Sequence, residues 1–222
     1  MLPLRVPGNP GRPRQAWSEQ AMAKRKWEIL SSELVVESPW YNLRRDTCRL
    51  PDGSVIKPYY VRVHDGFSVV FALTPDRRVV MIRQYKHGIG ETVLELPAGA
   101  MEPGEDPAAC AARELEEETG YTAPTFEPIA EFAADPTSST GRLYLYLARD
   151  AIPDGTVALD STEDIETALL SIDDVVARVR SGEVFVQSHV AAIYTALDRL
   201  GLLDVHAGGD PGRGLPKQAG RP

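Results

Sequence analysis

The stretch Ala98–Tyr121, AGAMEPGEDPAACAARELEEETGY, decides the reading of this chain. Pro107 followed by Ala108, Ala109, Cys110, Ala111 and Ala112 predicts a helix start, because proline suits the first turn and alanine is the best helix former. Gly120 is placed to close that helix as a left-handed cap. Between them lies Arg113-Glu114-Leu115-Glu116-Glu117-Glu118, so the acidic cluster sits on the helix. Residues three and four apart share a face, which puts Glu114, Glu117 and Glu118 around one small volume. Such Glu–Glu pairs cost roughly a few tenths of a kcal/mol where Glu–Lys pairs would help. A positive partner is missing from the sequence.

An all-oxygen cluster suits a hard divalent cation, Mg²⁺ first and Mn²⁺ as its usual substitute, and the natural companion of such an ion is a phosphate chain. The flanks agree. Leu96-Pro97-Ala98-Gly99-Ala100 is expected to turn sharply, with Gly99 allowing close approach of main-chain groups. Glu102-Pro103-Gly104-Glu105-Asp106 is an acidic turn leading into the helix N-terminus, where negative charge is favoured. The stretch reads as loop, helix, loop.

The spacing of Gly99, Glu105, Arg113, Glu114, Leu115, Glu117, Glu118 and Gly120 resembles the Nudix box in every fixed place. Tyr121 departs from the usual aliphatic residue at the last position, which changes a packing contact rather than a ligand. The resemblance implies an α/β (α+β) fold, an α/β/α sandwich with a mixed β-sheet between helices. It also implies that the Ala98 carbonyl, Glu114 and Glu118 bind metal, with Glu117 on a second or third ion. Arg113 stays cationic and cannot be a ligand; it is expected to hold a carboxylate of the box, such as Glu105. Glu116 occupies the variable slot and is expected to point into solvent.

Around this centre the chain alternates polar and apolar residues between turn signals. Trp27 to Val36, Tyr41 to Leu50 and Val55 to Val63 read as antiparallel strands, the last two joined at Pro51-Asp52-Gly53. In the Nudix subgroup acting on ADP-ribose and related nucleoside diphosphate sugars, such an N-terminal sheet exchanges between subunits, so the resemblance implies a homodimer. Phe67 to Leu73, Arg78 to Tyr85 and Thr92 to Leu96 are further strands. Tyr85 and Lys86, rather than Arg83, are the expected substrate contacts, an aromatic for stacking and a cation for phosphate. His87 reads as a surface residue.

Strands Phe126 to Ala133 and Arg142 to Ala148 flank a loop that carries Pro136. This proline stands fifteen places after Tyr121, as in ADP-ribose-type Nudix hydrolases. The surrounding Asp135-Pro136-Thr137 departs from their Ser-Pro-Gly followed by an acid, which leaves ADP-ribose, ADP-glucose, GDP-mannose or another such sugar open. A second acidic loop precedes the strand Thr167 to Leu170; by resemblance one of its glutamates, Glu163 with Glu166 behind it, binds metal or activates the water. Ile172 to Arg180 and Val186 to Leu200 show helical apolar spacing.

The expected organisation is a lead over 1–26, read as disordered with a true start at Met22 or a targeting segment as alternatives, an N-terminal sheet over 27–65, a Nudix domain over 66–205 and a disordered tail over 206–222. The function implied is Mg²⁺-dependent hydrolysis of the pyrophosphate in a nucleoside diphosphate sugar. The alternatives are hydrolysis of a nucleoside triphosphate or a diadenosine polyphosphate, or a nucleotide-sugar-binding domain without catalysis. A net charge of −8 and no basic stripe interleaved with aromatics argue against a nucleic-acid polymer. No apolar run spans a bilayer and no secretion signal is visible, so no membrane partner is expected. Cys48 and Cys110 are too few for a disulfide framework and read as small buried side chains in a reducing, cytoplasmic setting.

Overall fold

The structure, a computed structural model, describes residues 25 to 203. Apart from Arg25 and Lys26, the expected lead over 1–26 lies outside the described residues, as does the tail over 206–222. The chain divides between Val63 and His64 into two compact units.

The first unit is a three-stranded antiparallel sheet in the order β1 (Glu28–Val36), β2 (Asn42–Arg49), β3 (Val55–Val63). The hairpin between β2 and β3 closes where expected: Gly53 N–H donates to the Leu50 carbonyl, and Asp52 Oδ1 accepts from Ser54 N–H. Glu28 faces Arg49 across the sheet and Glu33 faces Arg45, each as an exposed ion pair. Such pairs fix register more than they stabilise. Every residue of β1 is exposed, including Ile29, Leu30, Leu34, Val35 and Val36.

The second unit is built on a mixed sheet of β4 (Gly66–Leu73), β5 (Arg78–Lys86), β6 (Glu91–Glu95), β7 (Ala98–Ala100), β8 (Phe126–Ala133), β9 (Arg142–Arg149) and β10 (Ile165–Ser171). The spine runs β10-β5-β4-β9-β8, with β4 and β9 parallel and the other neighbours antiparallel. Helix α1 (Pro107–Thr119) covers one face; α2 (Ile172–Ser181) and α3 (Gln187–Arg199) cover the other. Along β4, Val69, Phe71 and Leu73 pack with α2 and α3, while Val70 and Ala72 pack with Ala111 and Leu115 of α1. A strand buried on both sides reads as a continuous apolar run, which β4 does. The layers are those of the expected α/β/α sandwich.

One irregularity positions the site. Strands β4 and β5 pair only beside their turn, at Leu73 and Val79, and then part. Into the gap the chain inserts β6, paired to β5, and β7, paired to β4. Leu96 and Pro97 cross between them, and the Pro97 carbonyl accepts from Val70 N–H at 3.0 Å. Ala98–Ala100, expected as part of a sharp turn, is therefore a short strand. Three small residues with a central glycine carry no alternating pattern by which to recognise one.

Leu115 is fully buried among Val70, Ala72, Val80 and Tyr146. Leu115→Ala is expected to cost about 2–5 kcal/mol of stability in urea denaturation of the chelated protein. A loss under about 1 kcal/mol would contradict this packing of α1.

Candidate active site

Helix α1 starts and stops by local chemistry. Asp106 is the N-cap, its carboxylate accepting from Ala108 N–H at 2.9 Å and Ala109 N–H at 3.3 Å. Gly120 ends the helix at φ 71°, donating to the Glu116 carbonyl at 2.7 Å. Asp106 thus lies at the favourable end of the helix dipole, whereas Glu116, Glu117 and Glu118 lie at the unfavourable one. A helix built for stability alone would reverse that arrangement.

The fork between β4 and β5 receives these carboxylates. Glu118 is buried, and its Oε2 accepts from Ala98 N–H at 2.9 Å. Glu114 is buried against Gly99; a Cβ at position 99 would stand 2.0 Å from the Glu114 carboxyl carbon, so only glycine leaves it room. Arg113 fans across the cluster. It grips Glu105 through two bonds, Nε at 2.9 Å and a terminal nitrogen at 3.0 Å, as expected. Its other terminal nitrogen donates to Glu114 at 2.8 Å and Glu117 at 2.9 Å.

Electrostatics sort the acids into two kinds. The hydrogen bonds from Arg113 hold Glu105 down to about 2. Burial pushes Glu118 up to about 9, the Ala98 N–H opposing the shift and the neighbouring Glu114 adding to it. Burial also raises Glu114, against the pull of Arg113. Cys110 beside them is buried and pushed up to about 11, a packing residue rather than a nucleophile. Two carboxyls whose ionisation costs this much form an oxygen-rich site of the kind a hard divalent cation fits. Among the described residues, no three acidic, His or Cys side chains yet converge as a ready coordination shell. Arg113 lies between Glu114 and Glu117, and Glu118 is turned to Ala98, so ion binding requires these side chains to turn.

The remaining expected residues fall in different places. Glu163 lies close enough for its charge to act on Glu114, behind burial and the nearer charges; its own Oε2 accepts from Asp160 N–H at 3.0 Å. Glu166 faces Arg83 across β10 and β5. It lines a cavity of about 180 Å³ with Arg83, Tyr85, Thr92 and Asp164, in which Tyr85 is exposed. Arg83 reaches Glu183 at 3.0 Å, and His87 is exposed as expected. Lys86 turns to Glu95 at 2.6 Å and also bonds Gln84. Pro136 is exposed on its loop, whose far end Thr140 and Ser139 fasten to His64. Glu116 is half-buried rather than solvated: its Oε1 accepts from Thr156 N–H, pinning the loop that packs on the end of α1.

Two residues that the sequence did not flag, Glu95 and His189, join the site from behind. Both are buried, with His189 Nε2 at 3.1 Å from Glu95 Oε2. Glu95 is an acid inside the apolar run Val93–Leu96, which alone signals a buried partner. His189 shares its helix face with Ala192, Ile193, Ala196 and Leu197, so its spacing marked it only as core.

The NUDIX domain family matches residues 62–187, more than half the chain, and the chain belongs to that family. Residues 27–61 match the nucleoside diphosphate sugar hydrolase N-terminal domain. The chain is 31% identical over 167 residues to the methanol dehydrogenase activator of Bacillus methanolicus, covering 75% of this chain and 90% of that protein. It is 31% identical over 188 residues to the ADP-ribose pyrophosphatase of Mycobacterium tuberculosis, covering 84% and 86%. A crystal structure of an ADP compounds hydrolase superposes with a TM-score of 0.70 at 20% identity, covering 80% of this chain and 97% of the other, and shares the fold. Among the described residues, no helix is long and apolar enough to cross a membrane.

Glu118 sets a pH dependence. Its folded pKa is raised, so between about 4.5 and about 9 the folded state holds a proton that the unfolded chain has released. Its contribution to stability is therefore full below about 4.5 and is lost as pH rises through about 9. In chelator, melting temperatures measured across this range should fall more steeply for the wild type than for Glu118→Gln. Parallel curves would contradict the buried, ionisation-averse carboxyl.

Proposed function

We propose that this NUDIX-family hydrolase cleaves the pyrophosphate of ADP-ribose or a related nucleoside diphosphate sugar, giving a nucleoside monophosphate and a sugar phosphate. The observation that carries the reading is the burial of Glu114 and Glu118 together on one face of α1, with Glu118 at its unfavourable end, against a main-chain segment and beside Glu117. The match of residues 27–61 supports the substrate class.

The cation proposed is Mg²⁺, with Mn²⁺ able to replace it; Glu114, Glu118 and the Ala98 carbonyl would hold it, with Glu117 on a second or third ion. When bound it neutralises diphosphate oxygens and lowers the pKa of water at the site. The remaining work falls to the chain. Arg113, released in part from Glu114 and Glu117, keeps Glu105 and the helix face in register. Glu163, whose charge already reaches Glu114, accepts the proton of the attacking water or orients it. Tyr85 offers an exposed ring for stacking, Lys86 borders the same strand exit, and Pro136 is the third proposed substrate contact. No covalent intermediate is needed.

The working form is a homodimer. A three-stranded sheet whose outer strand exposes Ile29, Leu30, Leu34, Val35 and Val36 has more apolar surface than a lone chain keeps in water. Two buried free cysteines suit a reducing compartment, and the cytoplasm is the setting proposed. Recovery with membranes or outside the cell on fractionation would argue against it.

Three outcomes are expected. With Mg²⁺, a panel of ADP-ribose, ADP-glucose, GDP-mannose, a diadenosine polyphosphate and a nucleoside triphosphate should release monophosphate fastest from a nucleoside diphosphate sugar. Preference for the triphosphate, or no turnover of any, would overturn the assignment. Glu118→Gln and Glu163→Gln should each lower kcat by about 10²-fold or more, and Glu166→Gln by far less; a reversed order would transfer the water-handling role to Glu166. Light scattering should give twice the chain mass, and a monomer would contradict the dimer.

A further inference from the structure

The segment Leu96-Pro97-Ala98 crosses the open fork with few sheet partners, and its backbone donors are met by side chains instead. Ala98 N–H is taken by Glu118 from α1. Pro97 has no N–H, and its carbonyl binds β4 through Val70. Leu96 N–H donates to His189 Nδ1 of α3 at 3.2 Å, in a buried position. The crossing is therefore held from both helical layers and from the sheet.

A ring nitrogen that accepts an N–H carries no proton, so the imidazole hydrogen of His189 is on Nε2. That nitrogen faces Glu95 Oε2 at 3.1 Å and donates to it. The other oxygen of Glu95 meets Lys86 Nζ at 2.6 Å. Lys86 and His189 between them engage both oxygens of the buried Glu95, Glu95 fixes the ring, and the ring fixes the Leu96 amide. The relay ends two residues before the Ala98 carbonyl. Side chains that orient ligands in this indirect way change ion affinity by about 10–100-fold when removed.

We infer that His189 is a positioning residue for the cation site: it sets the backbone of Leu96-Pro97-Ala98 so that the Ala98 carbonyl faces the ion, with Glu95 and Lys86 holding its ring. The inference rests on Ala98 being an ion ligand. Lys86 thereby has a structural duty at the strand exit where it is also proposed to meet substrate. The buried acid Glu95 and the buried imidazole of His189 have no other task in the proposed reaction. Leucine at 189 would fill the space but leave the Leu96 N–H and one Glu95 oxygen buried without partners. Glutamine offers an acceptor and a donor at a spacing close to that of the two ring nitrogens.

The test is Mn²⁺ binding to the full-length, metal-free protein, followed by electron paramagnetic resonance without substrate, for the wild type, His189→Leu and His189→Gln. The Mn²⁺ dissociation constant of His189→Leu is expected to rise about 10–100-fold, with His189→Gln within about threefold of the wild type. In steady state, kcat at sub-saturating Mn²⁺ should fall for His189→Leu while the KM for substrate at saturating Mn²⁺ stays within about twofold. If His189→Leu melts lower in chelator yet binds Mn²⁺ as tightly as the wild type, the residue is packing only and the inference is overturned. Equal weakening in His189→Gln and His189→Leu overturns it too, since the paired hydrogen bonds would then not matter. Failure of the wild type itself to bind Mn²⁺ would reject the ion reading, and with it this role for His189.

Discussion

Carboxylate crowding at the wrong end of one helix is the constraint around which the second unit is arranged. Glu114 and Glu118 are one helical turn apart and buried, and Glu118 lies at the negative pole of α1. Desolvation and neighbouring negative charge raise the free energy of both charged forms, and the dipole adds to this at Glu118. In the metal-free chain the strain is shared out: Glu118 is held near its protonated form, Glu114 leans on Arg113, and Glu105 takes the strongest part of the guanidinium. A divalent cation would relieve all three terms at once, which ties ion binding to the stability of the fold around it.

The sheet is shaped to make this possible. Had β4 and β5 remained paired beyond Leu73 and Val79, their hydrogen bonds would have closed the place where main chain now meets Glu118. Parting them leaves edge groups that must be satisfied elsewhere. The protein does so with two inserted strands, one β4 amide, one buried glutamate and one buried histidine. The same gap lets residues from both helical layers act on a single stretch of backbone. Site and fold are coupled there, because the groups that complete the sheet also aim the candidate ligands.

Much of this was legible in the sequence, for physical reasons that differ by element. Helix α1 announced itself through Asp106, Pro107, the alanine run and Gly120, all of them local signals. The long strands showed through alternation, or through unbroken apolar runs where both faces are covered, as in β4. The acids of α1 and their link from Glu105 to Arg113 followed from a fixed spacing on a regular helix. What stayed hidden depends on contacts far apart along the chain. Leu96 meets His189 across most of the domain, and no period or turn signal relates the two. Lys86 looked like a free cation because its partner Glu95 lies on the neighbouring strand, and Glu116 looked solvated because the loop that caps it comes some forty residues later.

The most direct measurement is the anomalous scattering of Mn²⁺ in crystals grown with a non-hydrolysable nucleoside diphosphate sugar. A peak is expected bounded by Glu114, Glu118 and the Ala98 carbonyl, with the diphosphate on its open side and Arg113 withdrawn from Glu114. Manganese density elsewhere on the molecule, with this face still closed by Arg113 and the analogue bound apart from it, would rule out α1 as the ion-binding element.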